Sequence, residues 1–318
     1  CAHRGTQLST GWVEGDCIRC FYHGWKYDGA GQCVEQPAED DGFAAKVRIR
    51  AYPTEEYLGL IFVYFGAGLA PDLPRFPEFE DESQGVREVY TYTWPCSYFN
   101  SLENDAFHGI WVHRESYIAS GRTGIPVVEC EETSYGYVSR ARRPGATHWA
   151  ESQSHFLMPV ATHGTRTAPE LGHDAWRDAL TWRVPVDDGH FATYGVNMTH
   201  ISGEARARYE QRELERGERA RAQSDPQVLA ERILKGELRI QDFNDRDYGR
   251  LFNVQDYVAQ VGQGVFACQN DEHLGREDVE VIMLRKLYRR EMRALAEGRP
   301  LTAWQRPERL SVHVEEPV

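Results

Sequence analysis

Cys1-Ala-His3 and Cys20-Phe-Tyr-His23, with sixteen residues between His3 and Cys20, are two half-sites, each offering one sulfur and one ring nitrogen from a short turn. Two thiolates and two imidazoles in this order suit an iron–sulfur cluster that carries sulfur ligands on one iron and nitrogen ligands on the other. Such a cluster would hang between two loop tips. Zinc accepts the same four donors and is the rival reading, but structural zinc sites usually pair like with like, as C-x2-C followed by H-x3-H. Here each half mixes Cys with His. Cys17 adds an incidental Cys17-Ile-Arg-Cys20 pair, read as a strand cysteine in preference to a redox pair or an alternative ligand.

Outward from these turns, residues up to about Phe65 are short apolar runs punctuated by Gly and Pro, such as Lys46-Val-Arg-Ile-Arg-Ala-Tyr and Leu60-Ile-Phe-Val-Tyr-Phe, which predict a small β-sandwich. The Pro-rich, acidic stretch Pro71-Asp-Leu-Pro-Arg-Phe-Pro-Glu-Phe-Glu-Asp-Glu reads as a linker. The expected organisation is a first domain over 1–66, a linker over 67–85 and a second domain over 86–318. That second domain alternates strand-like segments (Glu88 to Trp94, Ser152 to Met158, Asp178 to Val184, His190 to Thr199) before turning helical over Glu204 to Arg221 and Glu277 to Ala296. Strands followed by helices predict an α+β fold. The charged helix from Glu204 is expected to be a solvated face.

With 318 residues and 41% hydrophobic content, the chain can build two cores. A net charge of −13 excludes the usual phosphate-backbone binder, which needs an excess of Lys and Arg, and suits docking to a basic redox partner. The most apolar stretch, Tyr57 to Pro71, is too short and too rich in Gly to span a bilayer, and reads as a buried strand with its exit loop. The seven cysteines are scattered over a long chain, so a reducing, cytoplasmic location is expected in preference to a secreted disulfide framework. Because the sequence opens on a candidate ligand, it reads as an incomplete chain.

A second set of donors lies in Asn100-Ser-Leu-Glu-Asn-Asp105-Ala-Phe-His108-Gly-Ile-Trp-Val-His113. On a helix Asp105 and His108 share a face, whereas His113, five residues further, lies about 140° around. Both imidazoles converge only if the helix bends or ends between them, and Gly109 is a plausible place. Asp256, in Leu251-Phe-Asn-Val-Gln-Asp256-Tyr-Val, is the later carboxylate candidate. The competing readings are a helix cap for Asp105 and, for Asp256, an N-terminal helix residue satisfied by backbone N–H groups.

The flanks Cys-Ala-His-Arg-Gly and Cys-Phe-Tyr-His-Gly-Trp-Lys-Tyr-Asp resemble the Rieske [2Fe–2S] domain of bacterial aromatic-ring-hydroxylating oxygenases, and Glu272-His-Leu-Gly-Arg-Glu-Asp-Val-Glu-Val-Ile-Met-Leu-Arg-Lys resembles the tail of their phthalate-dioxygenase-like branch. The resemblance implies a Rieske β-sandwich followed by an antiparallel-sheet, helix-grip catalytic domain. It also implies Cys1, His3, Cys20 and His23 on the cluster, and His108, His113 and Asp256 as the facial triad of a mononuclear Fe(II). Thr6 and Tyr22 stand where high-potential relatives carry a disulfide brace, which implies the low-potential kind. Asp105 would bridge a cluster histidine of one subunit to an iron-ligand histidine of its neighbour, in a ring that is most often a trimer. The match departs in one place: Leu102-Glu103-Asn104 abuts Asp105 instead of standing a few residues ahead, so neither Asn100 nor Asn104 takes the family's second-sphere role safely.

The implied activity is that of the large (alpha) oxygenase subunit: O2 and electrons from a separate NAD(P)H-dependent reductase or ferredoxin are used to hydroxylate, cis-dihydroxylate or O-demethylate an aromatic or polycyclic substrate. Gly262-Gln-Gly264 is no nucleotide fingerprint, so NADH oxidation belongs to that partner. Phe107, Trp111 and Phe252 are the candidate pocket residues, beside the alternating strand face His190, Ala192, Tyr194, Val196, Met198 and His200, for which core packing is the competing reading. Neither nucleic acid nor membrane is expected as a partner. Two other classes stay open: a non-catalytic Rieske electron carrier, which has no use for the residues after the linker, and a zinc-stapled binding protein.

Overall fold

A computed structural model gives the fold. It describes residues 1–40, 42–104, 109–114, 118, 124–144, 149–168, 171, 175–244, 248, 250–267 and 271–310. The chain divides into two compact units, Cys1–Leu73 and Pro74–Val318, and the architecture is α+β.

The first unit holds a four-stranded antiparallel sheet, β1 (Trp12–Glu14), β2 (Cys17–Arg19), β3 (Lys26–Asp28) and β4 (Cys33–Glu35), and a separate hairpin, β5 (Thr54–Tyr57) with β6 (Leu60–Val63). Cys17 opens β2, as a strand cysteine should. Two expectations fail here. The run from Lys46 to Tyr52 forms no strand: it follows a 3-10 turn (Ala44–Lys46) and joins the sheet only at the Gln32 to Arg48 bridge, where Cys33 N donates to Val47 O and Ile49 N to Gly31 O. Strand β6 is not buried throughout: Ile61 is 75% exposed, and its neighbours alternate, so its apolar run serves one face of a hairpin.

The second unit is a seven-stranded antiparallel sheet in the order β7 (Gly85–Trp94), β13 (His190–His200), β12 (Trp176–Asp187), β11 (Ala161–Thr167), β10 (Trp149–Leu157), β9 (Gly136–Pro144) and β8 (Val127–Thr133). Its helices are α1 (Tyr98–Leu102), α2 (Gly109–Val112), α3 (Gly203–Ala222), α4 (Pro226–Leu234), α5 (Leu251–Val261) and α6 (Val279–Ala296). Local chemistry sets their starts. Ser97 Oγ accepts from Phe99 N ahead of α1, and Asp225 Oδ1 accepts from Gln227 N ahead of α4, where Pro226 takes the first-turn place that needs no N–H. Helix α3 buries only Tyr209, so its charges form a solvated face. Among the described residues, no helix is long and apolar enough to cross a membrane.

Two aromatic-rich cores fasten helices to one face of the sheet. At one end Trp94 and Phe191 pack with Leu229 and Ala230 of α4 and with Leu251, Val254 and Tyr257 of α5. Trp94 meets Phe191 and Tyr257 edge-on at 6.0 and 5.4 Å between ring centroids, each pair adding about 1 kcal/mol beyond area burial. At the other end Tyr137 and Phe156 pack with Leu102 of α1 and with Leu284 and Leu287 of α6.

On the opposite face the stretch from Pro74 supplies buried Phe76 and Phe79, and Phe79 lies edge-on to His163. His163, His200 and Asp178 form a buried group there, with His200 Nε2 2.8 Å from Asp178 Oδ2. His155 is buried beside them, its Nδ1 2.7 Å from the Tyr135 hydroxyl. Burial holds the His155 pKa down to about 4, with the charges of His163 and Arg140 acting in the same direction. An unfolded His titrates near 6.5, so between about pH 6.5 and 4 the unfolded chain takes up a proton that the folded chain refuses. Stability is therefore present above 6.5 and lost as pH falls, by about 2 kcal/mol at pH 5 from this residue. In urea titrations at pH 7 and pH 5, His155→Gln should show a smaller loss than wild type; equal losses would remove His155 from the account.

Candidate functional site

In the first unit both half-sites fold as the same turn. Gly5 N donates to Cys1 O at 2.9 Å and Gly24 N to Cys20 O at 3.0 Å, and both glycines are left-handed, at φ 76° and 75°. That conformation explains a Gly at the same place after each Cys–His pair. The His3 and His23 rings come within 4.6 Å of each other, and His3 stacks on Trp25 at 4.6 Å. Arg19 fastens the second loop, donating from Nη1 to Gly24 O at 2.7 Å while it pairs with Glu14 and Glu35 of the sheet. The Arg19 guanidinium holds the Glu14 carboxyl down to about 2.

Tyr27, fully buried, carries the telling polar contact. Its hydroxyl accepts from Ala2 N at 3.2 Å, which leaves its own proton for Cys1 Sγ, 3.4 Å away. Were Cys1 to ligate a cluster, this hydroxyl would be a lever on its potential. Two sulfurs and two imidazoles presented as paired donors from opposed turns fit a [2Fe–2S] cluster. Among the described residues the six cysteines are free, including Cys1 and Cys20.

In the second unit His113, the residue after α2, is 1% exposed and faces α5. Its Nδ1 lies 2.8 Å from Gln255 Oε1, and since an amide oxygen only accepts, Nδ1 carries the proton. Nε2 is left as the lone-pair nitrogen, 3.2 Å from Asp256 Oδ1. Phe252 stacks on the His113 ring at 3.3 Å. Phe252, Gln255 and Asp256 share one side of α5 by helical spacing, while Leu251, Val254 and Tyr257 face the core. Asp256 is the sixth residue of α5, so the N-terminal capping reading fails. A buried imidazole lone pair beside a carboxylate oxygen fits a divalent metal ligated by nitrogen and oxygen.

Asp105, Phe107 and His108 lie outside the described residues. Trp111 is described and is 62% exposed. The segment that leads to them is held at two points. Asn100, 3% exposed, donates from Nδ2 to Gly264 O at 3.0 Å and accepts at Oδ1 from Ala267 N at 3.2 Å, which staples α1 to the end of α5. Arg285 of α6 bonds both oxygens of Glu103 and both of Glu272, with Nη2 2.8 Å from Glu103 Oε2. All of Asn100's polar capacity goes to that staple.

One strand face is corrected. Phe191 packs against the helices, so the helix-covered face of β13 is the set Phe191, Thr193, Gly195 and Asn197. Ala192, Val196, Met198 and His200 turn to the other side and are buried, the packing role that competed with a pocket role. Gln255 and Tyr27 were not singled out by sequence; the adjacency Gln255-Asp256 was the only signal for the former.

Gln255→Ala should free the His113 tautomer and weaken iron binding at that site by about 10- to 100-fold, while Gln255→Glu, which still accepts from Nδ1, should restore it. Iron titration of metal-stripped protein reads this out, and unchanged affinity in the Ala variant would show that Gln255 does not orient the ring.

Comparison with known proteins adds the following. A family model described as the Rieske [2Fe-2S] domain matches residues 1–53. The 5,5'-dehydrodivanillate O-demethylase oxygenase subunit of a Sphingobium species is 29% identical over 94% of this chain and 66% of its own. The tert-butanol monooxygenase / tert-amyl alcohol desaturase oxygenase subunit of Aquincola tertiaricarbonis is 29% identical over 91% of this chain and 63% of its own. Among solved structures, the terminal oxygenase of carbazole 1,9a-dioxygenase from Nocardioides aromaticivorans shares the fold with a TM-score of 0.62 at 19% identity, over 95% of this chain and 84% of that one. The chain thus spans a little under two thirds of the length of these two curated relatives.

Proposed function

We propose that this chain is an oxygenase component of the Rieske non-haem iron kind, whose cofactors are a [2Fe–2S] cluster and a mononuclear Fe(II), a reading supported by the Rieske match over 1–53 and by oxygenase subunits at 29% identity. It uses O2, with electrons from a separate NAD(P)H-dependent reductase or ferredoxin, to hydroxylate, cis-dihydroxylate or O-demethylate an aromatic or polycyclic substrate. The observation that carries this is the second donor set: His113 Nε2 beside Asp256 Oδ1, in a unit that a simple electron carrier has no need of. The name of the Sphingobium relative, 5,5'-dehydrodivanillate O-demethylase, supports the aromatic reading.

Cys1, His3, Cys20 and His23 would hold the cluster, and His113, Asp256 and His108 the iron. In the proposed organisation, 1–66 is the cluster domain, 67–85 the connection and 86–318 the catalytic domain. When bound, the cluster supplies electrons and the iron supplies oxygen activation. The protein's part is placement. Gln255 keeps the proton on His113 Nδ1, Asp256 supplies the anionic donor, and Phe252 covers the imidazole face against water; Trp111 and Phe107, the latter outside the described residues, would add to the aromatic lining. Asp105 would join a cluster histidine and an iron histidine across two protomers of a homotrimer. A cytoplasmic location, with neither nucleic acid nor membrane as partner, completes the proposal.

Iron and sulfide counts with EPR on pure protein test it. About three irons per chain are expected for the oxygenase, about two for a carrier and none for a zinc protein. Incorporation of an atom from labelled O2 into a substrate, with a generic reductase present, is the decisive positive result.

A further inference from the structure

Arg19 closes β2 directly before Cys20, and Lys26 opens β3 directly after Trp25, so the second Cys–His turn, 20–25, connects two paired strands. Cys20 N donates to Trp25 O at 2.8 Å, which closes the neck of the turn. A guanidinium has five N–H donors, and in Arg19 each has an acceptor. Nε and Nη2 donate to the two oxygens of Glu14 at 2.8 and 2.9 Å, and Nη1 and Nη2 to the two oxygens of Glu35 at 3.0 and 2.8 Å. The remaining Nη1 proton goes to the Gly24 carbonyl at 2.7 Å. Glu14 lies on β1 and Glu35 on β4, so one planar fork draws on both edges of the sheet and ends on the turn.

Exposed ion pairs add little to folding stability, and the side chains of Glu14 and Glu35 are 39% and 48% exposed. What two bidentate pairs supply is direction, because a rigid fork held on both sides can neither turn nor slide. The fifth donor is thereby aimed at the residue that follows His23. Gly24 is also approached by Pro37: a Cβ built on it would lie 3.0 Å from Pro37 Cγ, and 3.8 Å from Arg19 Nη1. The matching Gly5 of the first turn has nothing within 4 Å at that place. Two turns alike in backbone thus differ in how their glycines are held.

We propose that Arg19 is the positioning residue of the second half-site: through the Gly24 carbonyl it fixes where the His23 imidazole points and how firmly that nitrogen is offered to iron. Glu14 and Glu35 hold the fork, and Lys26, whose Nζ lies 3.2 Å from Glu14 Oε2, balances their charge. This rests on the Rieske reading of the same turn.

Three variants of the full-length, cluster-loaded protein separate geometry from charge. Arg19→Gln removes the charge and the fork, Arg19→Lys keeps the charge without the fork, and Lys26→Gln removes an equal charge from the same row and leaves Arg19 in place. Release of iron to excess bipyridine should be about tenfold or more faster in both Arg19 variants, and within about twofold of wild type in Lys26→Gln. The EPR g-values of the reduced protein should move in the same two variants only. Amide exchange over 20–25, read by mass spectrometry, should also be about tenfold faster in those two. Wild-type release and g-values in Arg19→Lys would overturn the proposal, as would an equal effect in Lys26→Gln, which would assign the role to net charge. Should Arg19→Gln not fold, the other two variants decide. A wild-type protein without iron and sulfide would sink the Rieske reading instead, and the exchange rates, which need no metal, would still decide whether Arg19 holds the turn.

Discussion

Asp256→Ala is expected to lower iron from about three to about two per chain and to abolish oxygen incorporation, with the cluster's colour and EPR signal unchanged. The carboxylate is the acidic donor placed against His113 among the described residues, 3.2 Å from Nε2. Without it Fe(II) would depend on neutral imidazoles, and a site built for a hard divalent ion loses its charge match. Turnover should fall by at least about a thousandfold, because the oxygen chemistry belongs to the metal. Folding should survive, since Asp256 lies on the side of α5 away from Leu251, Val254 and Tyr257, and Ala is the best helix former. Iron that stays at wild-type stoichiometry in this variant would refute the ligand assignment.

Asp105→Asn should keep both metals and lose turnover by at least about a hundredfold. A carboxylate can accept from two imidazole N–H groups at once, whereas an amide has one accepting oxygen and would turn its NH2 group towards the other ring. The change is isosteric. The chain just before it is also pinned, through Glu103 to Arg285 and through Asn100 to Gly264 and Ala267, so a lost rate would not come from a loosened segment. The measurement is single-turnover reoxidation of the reduced cluster with substrate and O2 present, and a near-normal rate would exclude the bridge.

The two Cys–His turns were legible because each half-site is complete within a few consecutive residues, and the left-handed Gly5 and Gly24 follow from the same turn. The long helices and the outer strands were legible from their periods. What escaped depends on contacts far apart in sequence. Gln255 meets His113 from 142 positions away and Arg183 meets Ser101 from 82, and neither separation leaves a local pattern. Strand β13 shows another limit. Alternation sorted its residues into two sets, but both sides of a central strand are covered, so hydrophobicity could not say which side faces the helices. Leu60–Val63 misled in the opposite sense, since an apolar run that reads as interior serves a hairpin with one open side.

Arg285 joins Glu103 to Glu272 from a position near the far end of the second unit. On a ribosome, the stretch carrying His113 emerges long before the guanidinium that steadies its approach, and Asp256 emerges in between. The proposed iron site would therefore mature later than the two Cys–His turns. Metal loading should come in two waves, sulfur chemistry early and ferrous capture only once the residues up to Arg285 have left the exit tunnel.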